Sequence, residues 1–388
     1  MSKIGRPNII NEINRGLILH LVREEGPISR AKIARRLGLS RPTVSAHVQD
    51  LIREGLVLEV GKGETKKGRK DILLVYNAKH GYILAGDLEG SFFRLAISDM
   101  SGKIEYEEVI KTQELREKNL MYPQSFPIIL NKILEKNRIQ GENLKILSFG
   151  ITGIIDEGRL MFSPGLPEWN NAPLGKILEE EFPSSLVILE RDVNMAVLGE
   201  YWKGAGRGKE NIVYITISTG IGAGIIINGK IYEGKNKFAG EIGYMSIDDP
   251  NYIYPGVLNT PFGSLEWNSS WSGIQKRLQQ LGKSYKTIEE IFENYEKDKE
   301  LKEIIDISAE NLARAIVNVT TVLAPEIIII GGILGRYLDI LLPKMEKIFE
   351  HYLPVDINIV SSPLGNNAVI WGSIYKALNI YHSCPVIV

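Results

Sequence analysis

Apolar and polar positions alternate at two different periods along the chain, and the switch between them divides it. Ile13, Leu17, Leu21 and Val22 recur at helical spacing, and Gly26-Pro27 closes that helix. A second helix follows from Ile28 to Gly38, with Ser29 placed to cap its start and Gly38 suited to the left-handed residue at its end. A third opens at Ser40, whose first turn tolerates Pro42 because the missing N–H would be unpaired there. Val44, Val48, Leu51 and Ile52 form its buried stripe, which leaves Arg41, Ser45, Ala46 and Gln49 on the opposite face. The period then shortens. Leu56–Val60 and Ile72–Tyr76 read as strands around the loop 61–70. From about Tyr82 the texture is that of Gly-punctuated β-hairpins: one whose first strand ends in Asp87 and runs to Gly90 and Ser91, one at 212–227 holding Thr219, Gly220 and Gly222, and a buried strand ending in Gly331-Gly332. A strand ending in Asp plus glycine is a place for a phosphate or a metal. Two sheet-plus-helix halves with Gly turns facing a shared cleft make an α/β body of about 300 residues.

Two short helices joined by a Gly-containing turn, with small and polar residues exposed on the second, are the helix-turn-helix pattern, and the basic hairpin behind them is a wing. Charge supports this. The first 70 residues hold 15 Lys and Arg against 7 Asp and Glu, whereas the whole chain has a net charge of -1. A basic head on an acidic body fits a polyanion-binding module attached to something else. Arg41, Ser45 and Gln49 are therefore candidates for base edges, and Arg30, Arg35, Thr43 and the wing cations Lys66, Lys67, Arg69 and Lys70 for phosphates, with Ser40 at the helix start.

No apolar run approaches the roughly 18 residues of a membrane span, and the first residues lack the apolar stretch of a signal peptide. The expectation is a cytoplasmic protein without membrane contact. A single cysteine, Cys384, excludes an intrachain disulfide, and the five histidines lack metal-ligand spacing.

Several motifs in order make the chain resemble the ROK family (repressor, open reading frame, kinase): Gly26-Pro-Ile-Ser-Arg-Ala31, Gly38-Leu-Ser-Arg-Pro-Thr-Val-Ser45, Asp87-Leu-Glu-Gly-Ser91, Glu190-Arg-Asp-Val-Asn194, Ser218-Thr-Gly-Ile-Gly-Ala-Gly224, Ala239-Gly-Glu-Ile-Gly243 and Leu364-Gly-Asn-Asn-Ala368. The resemblance implies an α/β chain: a winged helix-turn-helix over 1–76, then a two-lobed actin-like, ribonuclease-H-like sugar-kinase fold over 77–200 and 201–388, the second lobe carrying the dimerisation region. It also implies a sugar-binding set of Gly153, Asn170, Arg191, Asp192, Glu241, Tyr244 and Glu266. Asp192 stands where the kinases have their general base. Asp87, Gly90, Ser91, Thr219, Gly220, Gly222, Gly331 and Gly332 stand where they bind nucleotide.

The departures point away from catalysis. Glu89 stands where the kinases have the first glycine of Asp-x-Gly-Gly-Thr, and a carboxylate there repels a γ-phosphate. Ile333 replaces a small residue after Gly331-Gly332. None of the family's three zinc cysteines is present in 257–264, and Tyr244 replaces the histidine, so zinc, ATP and Mg²⁺ are not expected as cofactors. The loop 245–265 then needs packing of Tyr252, Tyr254 and Phe262, or a partner subunit, to order it. Arg191 replaces an asparagine and suits a ligand with a phosphate or carboxylate. Trp169 reads equally as a sugar-stacking or a core residue. The expected protein is a sugar-responsive transcriptional regulator, most simply a repressor of carbohydrate genes, with operator DNA, a small sugar and a second copy of itself as partners and a tetramer left open. A sugar kinase that also binds DNA, and a DNA-bound scaffold answering to a protein, are the alternatives.

Overall fold

In the computed structural model, residues 6–62, 71–247, 254–257 and 260–383 are described. The head comprises α1 (Arg6–Glu25), β1 (Ile28–Ser29), α2 (Arg30–Leu37), α3 (Arg41–Arg53), β2 (Val57–Lys62) and β3 (Ile72–Tyr76). Both helix starts are capped as the sequence indicates: Ser29 accepts from the Lys32 N–H at 3.3 Å and Ser40 from the Thr43 N–H at 3.2 Å. Gly38 takes the left-handed conformation, φ 66°. One reading is corrected. Val22 is buried and Leu21 packs beside it as expected, but Ile13 and Leu17 are about half exposed, and Ile18 takes the buried place with Val22. Successive residues of a helix point about 100° apart, and only the Ile18–Val22 side meets Ile33, Val44, Val48 and Leu51. The two-residue strand β1, missed in the sequence, pairs antiparallel with β3, so the wing sheet has order β1-β3-β2.

The first lobe holds β4 (Tyr82–Leu88), β5 (Phe92–Asp99), β6 (Ile104–Lys111), α4 (Thr112–Glu117), α5 (Phe126–Lys136), β7 (Leu144–Ile151), the small hairpin β8 (Ile154–Asp156) and β9 (Arg159–Phe162), α6 (Leu174–Glu181) and β10 (Leu186–Arg191). After α7 (Asp192–Lys203) the second lobe holds β11 (Ile212–Ile217), β12 (Ile221–Ile227), β13 (Lys230–Ile231), the pair β14 (Tyr254–Val257) and β15 (Thr260–Phe262), α8 (Ser264–Ser269), α9 (Trp271–Gln280), α10 (Ile288–Asn294), α11 (Lys299–Leu323), β16 (Ile327–Gly331), α12 (Gly332–Gly335), α13 (Leu338–Tyr352) and β17 (Ile359–Ser361), before α14 (Ala368–Ser383) ends the fold. The two large sheets, β6-β5-β4-β7-β10 and β13-β12-β11-β16-β17, share one plan. In each, an antiparallel three-strand meander continues into two parallel strands. The all-apolar β16 and the mostly apolar β7, interrupted by Lys145 and Ser148, occupy interior positions, as buried parallel strands do.

Each lobe has an outer core. A shared core between the sheets is built from Ile83, Ala85 and Ile146 of the first lobe, Ile212, Tyr214 and Ile329 of the second, and Met195, Ile370 and Ile374 of α7 and α14. Hence α14 is not a second-lobe element, as a boundary at 200 would have it. It packs on β4 and β7 and against α7. The α7–α14 contact is possible because glycines face each other: a Cβ on Gly372 would lie 1.6 Å from the Met195 carbonyl oxygen and one on Gly199 2.1 Å from that of Ala368. The far end of α14 meets the head. Tyr76, His80, Tyr381 and His382 form an aromatic cluster, His80 Nε2 lies 3.2 Å from the Tyr381 hydroxyl, and the Asn77 side-chain amide donates to the Gly55 carbonyl at 2.7 Å.

Candidate functional site

On α3 the burial of Val44, Val48 and Leu51 turns Arg41, Ser45, Ala46 and Gln49 outward, all exposed, as the sequence pattern requires. Most other cations of the head are already paired: Arg15 with Glu54, Arg30 with Glu59 at 2.7 Å, Lys32 and Arg36 with Glu25, and Arg53 with Asp50. Arg30, expected on a phosphate, is thus held by β2 of the wing sheet. Arg35 and Arg41 are exposed and form no ion pair among the described residues. The Ser40 and Thr43 hydroxyls bond each other at 2.7 Å, so both serve the helix start. Lys66, Lys67, Arg69 and Lys70 lie outside the described residues, as does Tyr252.

The candidate phosphate turn between β4 and β5 is filled from within. Arg94 on β5 donates to Asp87 at 3.2 Å and also to Glu89, a triad the sequence did not reveal although all three sit within eight residues. Burial, then the neighbouring Glu89, pushes the Asp87 carboxyl well above its ordinary range, and Arg94 offsets this only in part. Gly90 packs on backbone: a Cβ there would stand 2.7 Å from Gly165 Cα. Ser91 and Thr219 are exposed. Gly331 and Gly332 press on β11, where a Cβ would meet the Tyr214 hydroxyl at 1.9 Å and the Ile217 carbonyl at 2.5 Å respectively. Packing requires both glycines, and Gly332 also takes a left-handed φ of 76°.

The candidate sugar residues converge from two sides. On the first lobe Asp192, opening α7, accepts from the Thr152 hydroxyl at 2.8 Å and from the Val193 N–H at 2.8 Å. Thr152 was not singled out in the sequence, although it immediately precedes Gly153. Gly153 has φ 137° and no room for a Cβ beside Phe162 and Ser163, and Asn170 accepts from the Ser163 N–H at 2.8 Å on the same rim. From the second lobe come Glu241, Tyr244 and Glu266. Glu266 accepts from the Ile221 N–H at 3.1 Å beside Gly220, whose Cβ would lie 2.9 Å from its Oε2. Arg191, at the end of β10, spans the gap: its guanidinium donates to Glu241 and to the carbonyls of Lys237 (3.2 Å) and Ala239 (2.8 Å). The cation expected to be open to an anionic ligand is therefore engaged by a carboxylate of the chain itself. Glu190 beside it pairs with Lys376 of α14.

Crowded carboxylates shift one another. Burial raises Glu241, Arg191 lowers it and Asp192 raises it, for a net rise, and Glu266 is raised by burial and then by Glu241. Tyr244 is raised by burial and by Glu266 and Glu241. Such a set accepts hydrogen bonds from hydroxyl groups. Trp169 takes no part. It is fully buried against Phe93 and Phe126, with its indole N–H on the Met121 carbonyl at 2.7 Å. Tyr244 at the zinc-histidine position is half exposed and packs near Phe238, and no cluster of three His, Cys, Asp or Glu fit for a metal occurs among the described residues. No helix among the described residues is long and apolar enough to cross a membrane.

Residues 84–378 match the model of the ROK family, and residues 12–57 match that of a winged helix-turn-helix DNA-binding domain. A xylose repressor from Caldicellulosiruptor bescii is 27% identical over 98% of this chain and 99% of its own length. A glucokinase from Thermotoga maritima is 33% identical over 63% of this chain and 82% of that protein. A solved ROK family transcriptional regulator, a homologue of the Escherichia coli MLC protein, superposes with a TM-score of 0.71 at 22% identity, covering 96% of this chain and 98% of that one. That likeness is one of fold.

Proposed function

Because the chain belongs to the ROK family and carries a winged helix-turn-helix in front of the ROK body, we propose that it is a transcriptional repressor whose hold on operator DNA is set by a sugar in the body cleft. The observation that carries this reading is the joint presence of an exposed reading face on α3 and a kinase-derived cleft whose phosphate turn is closed by the Asp87–Arg94–Glu89 triad. Phosphoryl transfer requires cations and amide donors around the γ-phosphate. Here Glu89 takes that place, and the guanidinium that balances it blocks it. Zinc, ATP and Mg²⁺ have no part in the proposed function. The sugar pocket keeps its carboxylates, and the resemblance to a xylose repressor over the full length supports a saccharide effector.

In this mechanism α3 enters the major groove with Arg41, Ser45 and Gln49 at base edges, Arg35 and the wing cations hold phosphates, and two copies of the chain read two half-sites. Sugar binding draws on Asp192, Glu241 and Glu266. Asp192 begins α7, α7 packs on α14, and α14 ends against Tyr76 and His80 at the base of the head. A change at the cleft is thus passed to the head along two packed helices, and by linkage the operator weakens sugar binding as much as sugar weakens operator binding. The test is the affinity of the full chain for DNA from upstream of its own gene, measured by fluorescence anisotropy with and without saturating pentoses, hexoses and N-acetylhexosamines. One of them lowers the affinity by at least tenfold. Unchanged affinity with every sugar would sink the sensor, and sugar-dependent ADP release that disappears in Asp192→Asn would replace it with the kinase.

A further inference from the structure

We propose that Arg191, balanced by Glu241, makes this cleft select an uncharged sugar over the phosphate ester of that sugar. The inference rests on reading the cleft as a sugar sensor and adds the charge class of what it senses. An arginine at the cleft mouth ordinarily marks an anion, since its planar fork pairs bidentately with phosphate. The geometry here removes that option. Arg191 is buried, one of its Nη2 protons goes to the Glu241 carboxylate, and Nη1 supplies the carbonyls of Lys237 and Ala239. A guanidinium has five N–H donors. Three are engaged, and those left over can serve a hydroxyl oxygen as a neutral amide would, but the charge is already matched.

What surrounds the pair is acidic. Asp192 lies on the first-lobe side and Glu266 under the β11–β12 turn, and behind them stand Asp87 and Glu89 with only Arg94 between. These residues set five carboxylates, Glu241 included, against two guanidiniums. The upward displacement of Glu241 and Glu266 shows that burial and the neighbouring acids already oppose negative charge at this place. An ester that brings up to two further negative charges meets like charge here, with both guanidiniums already engaged by carboxylates of the chain. Lys235, exposed, and Lys237, half-buried, ride the same second-lobe loop at the rim. Hydroxyl groups, by contrast, find acceptors on three carboxylates and donors on the remaining guanidinium protons.

The experiment is calorimetric titration of the full chain, wild type and Glu241→Gln, at neutral pH with xylose, glucose and N-acetylglucosamine and with glucose 6-phosphate and N-acetylglucosamine 6-phosphate. The wild type binds at least one free sugar, and any ester at least tenfold more weakly than its parent. Glu241→Gln, which leaves Arg191 without its counter-charge, narrows that preference at least tenfold. An ester bound by the wild type as tightly as its parent sugar, or a preference unmoved in a folded Glu241→Gln, overturns the inference and leaves the sensor standing. Heat from none of the five compounds, with either protein, overturns both.

Discussion

Replacing Gly372 with alanine adds one methyl group at the α7–α14 crossing, the point on which the route from cleft to head depends. The new Cβ would lie 1.6 Å from the Met195 carbonyl oxygen, 2.5 Å from its carbonyl carbon and 2.9 Å from the Gly199 nitrogen. Ordinary contact begins near 3.4 Å, so the helices must separate by nearly 2 Å or slide along one another. No side chain can rotate away, since every blocking atom is backbone. Overpacking of a core costs about 1–3 kcal/mol, and a backbone obstacle places this case at the upper end, about 3 kcal/mol. For a body of about 300 residues that lowers the melting temperature by roughly 5 °C. Scanning calorimetry of the full chain measures it, with Gly141→Ala as the control, because a Cβ there meets nothing within 4 Å. Since α7 starts at Asp192 and α14 ends at the head, Gly372→Ala also blunts the effect of sugar on DNA affinity while the head still binds DNA. A Gly372→Ala protein with the melting temperature and sugar response of the wild type would refute the close crossing and the route built on it.

Arg94→Ala leaves Asp87 and Glu89 without a counter-charge and destabilises the body by about 3 kcal/mol, as removing one partner of a buried pair does; urea denaturation reads it, and a midpoint unchanged within error contradicts the triad. The Asp87 carboxyl is raised in the fold, so its contribution to stability is complete when it is protonated and fades as pH rises through its folded value. Asp87→Asn therefore flattens the loss of stability between acidic and neutral pH relative to wild type, and parallel profiles count against it. His382 runs the other way: burial holds it down at about 4, so what it adds is present above its unfolded value and lost as pH falls toward 4. His382→Asn removes that acid-side loss, seen as a wild-type-minus-variant stability difference that falls as pH drops below neutrality. In the head, Ser40→Ala removes the cap of α3 at a cost of about 1 kcal/mol and weakens DNA binding on all sequences alike, whereas Gln49→Ala changes sequence preference. Equal loss on every sequence in both variants contradicts the division of roles.

The head was legible because its signals are local. Caps, a left-handed glycine and a stripe at 44, 48 and 51 each act within a turn of helix, and the structure keeps them. The face of α1 was not legible, since Ile13–Leu17 and Ile18–Val22 are equally helical spacings and only the tertiary partners choose between them. The same limit applied in the cleft. Motif order placed Asp192, Glu241 and Glu266 around one opening, but the partners of Arg191, Arg94 and Glu190 come from strands and helices distant in sequence or from the far side of a turn. Trp169 shows the ambiguity of composition: an indole between Pro, Glu and Asn suits a sugar shelf, and it fills the core. The place of α14 was hidden for another reason. It follows the second lobe in the chain and returns to the first in space.

The triad in the phosphate turn also makes that turn hard to reopen one substitution at a time. Glu89→Gly alone restores the glycine yet leaves Arg94 lying on Asp87, and Arg94 changed alone strands two acids side by side. Each first step leaves the turn occupied, by Arg94 on Asp87 or by Glu89 beside Asp87, so only the two changes together empty it.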